Sequence, residues 1–255
     1  MKILVIGSTC RIGQEIDAAL KQQSGHDVLQ ESHFKSRWRF GDTINLDGID
    51  RLIILAHDRS INEQTHLMYI RKLLNGYVGK IVYLSTMSAN RNSSSRYGRT
   101  KSIIEHEILK SGGLVVRSGI VWGSQTFGIL KKLIFLSKFL IVFYPKVDLA
   151  LFQMTNIDDL VSCLVKHSLD FEPGLIYALN NQNFTLRNLL EELAPRRIFF
   201  IKVSNRLINF AIRAIRTLLM KEIADSISIL LERNSLIPES HSCSFRCFDR
   251  KEIIL

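Results

Sequence analysis

The sequence predicts an α/β fold: a doubly wound parallel sheet with helices on both faces and a small C-terminal lobe. Three observations predict it. Short apolar strands alternate with helical stretches along the first two thirds of the chain, the arrangement of βαβ units in a parallel sheet. Those strands are nearly continuous apolar runs, LVI and LIIL among them, as expected when both faces of a sheet are covered. The first strand also runs directly into a glycine-bearing turn and then a helix.

The elements follow in order. Residues 2–7 (KILVIG) form a buried strand ending in a turn, and Ile12, Ile16, Ala19 and Leu20 recur at helical spacing over 12–22. Gly25 stops that helix, a short strand is expected at 26–30, and 31–46 is polar and irregular. Strands follow at 51–56, 80–86 and 113–121, with helices at 61–75 and 97–111 between them. Residues 129–144 are the most apolar stretch and read as a helix followed by a strand. Helical periods recur at 156–169, 185–194 and 205–233, with Asn180-Asn181 as a turn and an irregular tail from Pro238.

Composition sets limits. The 255 residues are 46% hydrophobic and 23% charged, which is ordinary for a globular chain. Cys10, Cys163, Cys243 and Cys247 lack zinc-ligand spacing, so no metal site is expected. The opening MKILVIGS is too short for a signal-peptide core, which implies a cytoplasmic protein with reduced thiols. The net charge of +10 fits a solvated basic surface and a phosphate-rich ligand. No nucleic-acid-binding motif accompanies it, so no nucleic-acid partner is expected. Lys131, Lys132 and Lys138 interrupt the apolar run at 129–144, which excludes a spanning helix and leaves peripheral contact with a membrane surface open.

Three short segments carry chemistry. In Gly7-Ser8-Thr9-Cys10-Arg11-Ile12-Gly13, the two glycines supply a tight turn and close strand–helix packing. A dinucleotide pyrophosphate needs such a turn at a helix N-terminus. In Tyr97-Gly98-Arg99-Thr100-Lys101, the tyrosine and lysine share one helix face. The ammonium lowers the phenol's pKa and the phenol acts as general acid or base. In Ser85-Thr86-Met87-Ser88, hydroxyls end the strand of residues 80–86, where open α/β sheets bind ligands. They can hydrogen-bond a reacting oxygen.

In this order the segments resemble the extended short-chain dehydrogenase/reductases of the NAD-dependent epimerase/dehydratase group, a family with a Rossmann-type fold. The resemblance covers about residues 1–195. It includes GSTCRIG, Gly41-Asp42, DRLIILAH, VYLST, YGRTKSIIEHEIL, LVVRSGIVWG and NIDDLVSCL. It implies a dinucleotide-binding domain over 1–170 and interleaved C-terminal elements over 171–255 forming a reduced substrate lobe. It also implies the catalytic set Thr86, Tyr97 and Lys101, with a nicotinamide cofactor held by Gly7, Thr9, Cys10, Arg11, Ile12, Gly13, Asp42, Ala56, Tyr97, Lys101, Arg117 and Ser118. Asp42 would approach adenine, Ala56 would wall the cofactor, and Arg117 and Ser118 would lie near the nicotinamide. The cofactor is expected where strand order reverses.

The implied substrate is a sugar nucleotide reacting at a 4-keto or 4-hydroxy centre, by reduction or epimerisation. A homodimer through the helices at 61–75 and 97–111 is implied as well. Several positions depart from the family pattern. Cys10 replaces the middle glycine, Ser118 a proline, and His66 stands near a usual asparagine. Ser88 competes with Thr86 as the catalytic hydroxyl, and only 11 positions separate Thr86 from Tyr97. The second strand lacks a terminal acid, and Arg11, Lys35, Arg37 and Arg39 favour NADP over NAD. Two other readings stand beside it: a dinucleotide-binding regulator with little turnover, which Cys10 supports, and a membrane-surface enzyme of a lipid-linked sugar, which would use the basic stretches 129–146 and 196–221.

Overall fold

A computed structural model describes residues 1–22, 44–58, 61–123, 128–145, 151–204, 206–208 and 210. Five parallel strands form the central sheet in the order β1 (Ile3–Ile6), β2 (Arg51–Ile54), β3 (Lys80–Thr86), β4 (Leu114–Ser118) and β8 (Gly174–Ala178). Alternate residues face opposite sides of a strand, and both sides here are apolar. Ile3, Val5, Ile53, Val82 and Val116 face one core, under α1 (Arg11–Gln22) and α5 (Ile157–Leu169). Leu4, Ile6, Leu52, Ile54 and Tyr83 face the other, under α2 (Glu63–Leu74) and α3 (Arg96–Lys110). The chain therefore has the Rossmann-like α/β fold that its alternating apolar runs predict. The strand expected at 26–30, on which a reversal of strand order depends, lies outside the described residues, as does most of the helix expected at 205–233.

Capping sets the helix starts. Asn62 accepts from Thr65 N (2.8 Å), and Asn156 from Asp158 N (2.9 Å) and Asp159 N (3.4 Å), satisfying amides that a first turn leaves open. Asp158 and Asp159 lie at the positive end of α5, with Lys166 and His167 at its negative end.

The single strand expected at 113–121 is two. It breaks at Gly119, whose N–H donates to Thr155 Oγ1 (2.8 Å) instead of a ladder carbonyl. A Cβ there would lie 2.1 Å from Gln153 O. β4 stays in the central sheet, while β5 (Ile120–Trp122) pairs with β7 (Leu151–Asn156), which also pairs with β9 (Asn183–Thr185). α4 (Gly128–Ser137) and β6 (Ile141–Pro145) match the helix and strand expected at 129–144, and β6 pairs with β10 (Phe199–Val203). These elements and α6 (Leu186–Leu193) enclose a second core around Trp122, Leu130, Met154 and Leu189. The chain returns from this group to the central sheet through α5 and β8.

Candidate active site

The glycine turn follows β1. Gly7 has φ +98°, and a Cβ on it would lie 2.9 Å from Ala56 N. A Cβ on Gly13 would lie 2.5 Å from Gly7 O and 2.6 Å from Ser8 Cα. Both positions need glycine, for backbone conformation at one and for close packing at the other. Cys10 N donates to Gly7 O (3.0 Å), closing the turn, and α1 begins at the next residue. Cys10 is exposed, and its Sγ accepts from Gly13 N at 3.4 Å. The thiol thus engages one of the N-terminal amides that an anion would use. Thr9 is exposed, and Arg11 pairs with Glu15 one turn along the helix.

The short loop from Thr86 to Tyr97 is internally braced. Ala89 N donates to Thr86 O (3.0 Å) and Asn90 N to Gly98 O (3.3 Å). A Cβ on Gly98 would meet Ser88 O at 2.4 Å, so this glycine lets α3 start against the loop. Ser95 caps α3 by accepting from Gly98 N (3.3 Å). Tyr97 and Lys101 then project from the first two turns. The Lys101 ammonium is buried, donates to Leu84 O at 2.7 Å, and lies 4.5 Å from the Tyr83 ring centre and 5.9 Å from that of Tyr97. A carbonyl and aromatic faces offset part of the loss of water around that charge. Thr86 Oγ1 and Ser88 Oγ are 3.3 Å apart.

Two histidines stack beside Tyr97, and one was not singled out from sequence. His57 presents its ring edge-on to Tyr97 (centres 4.6 Å, 86°) and stacks on His66 (4.6 Å, 17°). His66 is fully buried, and its Nε2 accepts from Asp58 N at 3.2 Å. Burial lowers its pKa from 6.5 to about 4, so the ring is neutral at pH 7. The signal for His57 was its place just after β2, at the carboxyl end of a parallel strand.

These groups share a cavity of about 400 Å³ at the carboxyl ends of β1–β4, within the range of small-molecule sites. Thr86, Ser88, Tyr97 and Lys101 line it, with Cys10 and Ile12 from the glycine turn and Ser118 from β4. Ile129 and Phe152 contribute from the second core. Ser118 Oγ donates to Ser85 O (3.3 Å).

Ala56 does not line the cavity; it packs its backbone against Gly7, while its neighbours Leu55 and His57 reach the opening. Arg117 is not brought there either. Strand alternation turns it to the α3 side, where it makes a two-point ion pair with Glu105 (2.8 and 2.6 Å). Asp42 lies outside the described residues. A larger cavity, about 680 Å³, lies between residues 44–51 and 69–80 at the opposite end of the strands, and none of the expected site residues lines it.

No protein-family model matches the sequence. No curated protein sequence matches it. Solved structures do. A dTDP-4-dehydrorhamnose reductase from Clostridium acetobutylicum is 18% identical with a TM-score of 0.59, covering 81% of this chain and 85% of its own. RMD from Pseudomonas aeruginosa, complexed with NADPH, is 15% identical with a TM-score of 0.56, covering 80% and 86%. A UDP-glucose 4-epimerase from Thermotoga maritima, with UDP-glucose, is 15% identical with a TM-score of 0.53, covering 80% and 87%. At these identities the likeness is one of fold: a mostly parallel sheet with helices on both faces.

Proposed function

We propose that the chain is an NAD(P)-dependent oxidoreductase or epimerase acting on a sugar nucleotide through a 4-keto or 4-hydroxy centre. The observation that carries this reading is the convergence of Thr86, Tyr97 and Lys101 on one cavity that the glycine turn also reaches. The folds named above, a dTDP-4-dehydrorhamnose reductase, RMD with NADPH and a UDP-glucose 4-epimerase with UDP-glucose, support the same class.

The residues fit a dinucleotide. Gly7 and Gly13 keep the turn close-packed at the start of α1, and the amides there, one of which the Cys10 thiol engages, would hold the pyrophosphate. Thr9, Cys10, Arg11 and Ile12 would border it, with Ser118 along the wall. When bound, the dinucleotide supplies hydride exchange at the sugar carbon. Tyr97 gives or takes the proton at the substrate oxygen. Lys101 favours the phenolate by its charge and would hydrogen-bond the ribose. Thr86 orients the reacting oxygen, with Ser88 as its hydrogen-bond neighbour. His57 fixes the Tyr97 ring and keeps water from that side. The Arg11–Glu15 pair is only half-buried and contributes about 0.5 kcal/mol, too little to withhold Arg11 from a 2′-phosphate. NADP is therefore the preferred cofactor in this proposal.

The test is fluorescence titration with NADH and NADPH on the wild-type protein and Tyr97→Phe, followed by a panel of 4-keto and 4-hydroxy sugar nucleotides. Binding survives the substitution, and turnover falls by about 10²–10⁴-fold. Failure of both cofactors to bind overturns the reading. A second reading, a dinucleotide-binding regulator, is favoured by one observation: the Cys10 thiol on Gly13 N. Cofactor binding without turnover of any sugar nucleotide selects it.

A further inference from the structure

Residues 128–145 and 193–210 together carry seven lysines and arginines and no aspartate or glutamate. They also build the ribbon of β6 and β10, whose apolar residues point both ways. Ile141 is in register with Phe199, and Phe143 with Ile201. Residues paired in register share a face of the ribbon, and the residues between them face oppositely. Val142 lies 3% exposed in the second core, so the four others form the outer face, 43% to 67% exposed. A half-buried ribbon normally turns polar side chains outward. Here Phe135 and Phe139, in edge-to-face contact at 5.2 Å and both exposed, add to the apolar surface just before β6. A contiguous exposed apolar patch of this kind marks an interaction site.

Beside the patch lies a basin of about 570 Å³. Arg187, Arg196, Arg197 and Lys202 line it, together with Phe199 and Phe200. Its carboxylate, Glu191, is ion-paired with Arg187 (2.9 Å), so the basin keeps a net positive charge.

We propose that the outer face of the β6–β10 ribbon docks on an anionic phospholipid bilayer, its aromatic and isoleucine side chains entering the interface and the cations of the basin meeting lipid phosphates. The combination of apolar contact and cationic surround is what anionic lipid recognises. A second copy of the chain is a poor occupant, because a symmetric contact would set the same acid-free cationic segments against each other. Beyond Phe210 the sequence runs through Arg213, Arg216 and Lys221 before its next acid, Glu222. Among the described residues no helix is long and apolar enough to cross a membrane, so the contact is peripheral. It is independent of the proposed chemistry, since Ile141, Phe143, Phe199 and Ile201 lie outside the catalytic cavity.

The test is flotation of the full chain with vesicles of phosphatidylcholine alone, or with about one-third phosphatidylglycerol. The protein floats with the anionic vesicles, stays down with the neutral ones, and is released by salt. Arg196→Gln with Arg197→Gln lowers partitioning about thirtyfold, from the contribution of two cations near the surface. Phe143→Ser with Phe199→Ser abolishes flotation while the melting temperature and NAD(P)H titration stay those of wild type, which separates docking from misfolding and from catalysis. Three results overturn the proposal: no flotation with anionic vesicles, flotation unchanged by both double substitutions, or a lipid-free dimer that Phe143→Ser dissociates.

Discussion

Replacing Gly13 by alanine perturbs the site through a single methyl group. In the folded chain that methyl would sit 2.5 Å from Gly7 O, 2.6 Å from Ser8 Cα and 2.9 Å from Ser8 C, against ordinary contact from 3.4 Å. All three neighbours are backbone, so no rotamer change relieves the overlap. The turn and α1 must separate by about 0.9 Å at the closest contact. Overpacking of this kind costs about 1–3 kcal/mol. For a chain of this length each kcal/mol is about 2–4 °C, so melting falls by about 2–12 °C. The same shift moves the α1 amides away from a bound pyrophosphate. Losing one hydrogen bond to a charged group costs about 1.5–3 kcal/mol, so NAD(P)H affinity falls by about 10–150-fold. Gly76→Ala is the control. Its φ is +77° with nothing within 4 Å, so it costs about 1–2 kcal/mol from backbone strain and leaves affinity unchanged. Thermal melting and fluorescence titration on both variants decide the matter. If Gly13→Ala melts and binds like wild type, close packing of the turn is not what forms the site.

Stability also carries a pH signature. His66 titrates in the folded chain at about 4 instead of 6.5, chiefly because it is buried. Between those values the unfolded chain binds more protons. The contribution of neutral His66 is therefore complete above pH 6.5 and is lost as pH falls toward 4, by up to about 3 kcal/mol. Urea midpoints at pH 7 and 4.5 should separate accordingly, and His66→Asn should reduce the separation; an equal slope in both proteins refutes the assignment. The Arg117–Glu105 pair makes the remaining prediction. With side-chain exposures of 19% and 5%, Glu105→Gln leaves a largely buried guanidinium without its counter-charge and costs about 3–5 kcal/mol. Glu105→Leu combined with Arg117→Met recovers most of that in urea unfolding. A loss below about 1 kcal/mol for Glu105→Gln means the pair behaves as a solvated one.

The sequence by itself determined the features that rest on local period and local geometry. Apolar runs at Ile3–Ile6, Arg51–Ile54 and Lys80–Thr86 fall where expected, because burial on both faces leaves no polar alternation to misread. The spacing of Tyr97 and Lys101 places both side chains on one cavity, because four residues bring a helix back to the same side. Gly7 and Gly13 were legible because each sits where strand gives way to helix. Tertiary structure decided what depends on distant partners. Gly119 breaks a run that reads as continuous, since its amide finds Thr155 thirty-six residues on. Arg117 turns from the cavity to Glu105, a choice made by which face of β4 meets α3. β7 and β10 were not anticipated: their partners, β5 with β9 and β6, are separated from them in sequence, and neither strand shows a strong period of its own. His57 joins Tyr97 only because β2 and β3 end side by side. The basic, apolar character of residues 129–144 was visible from the start. That Ile141 and Phe143 face outward was settled only when Val142 was drawn into the second core.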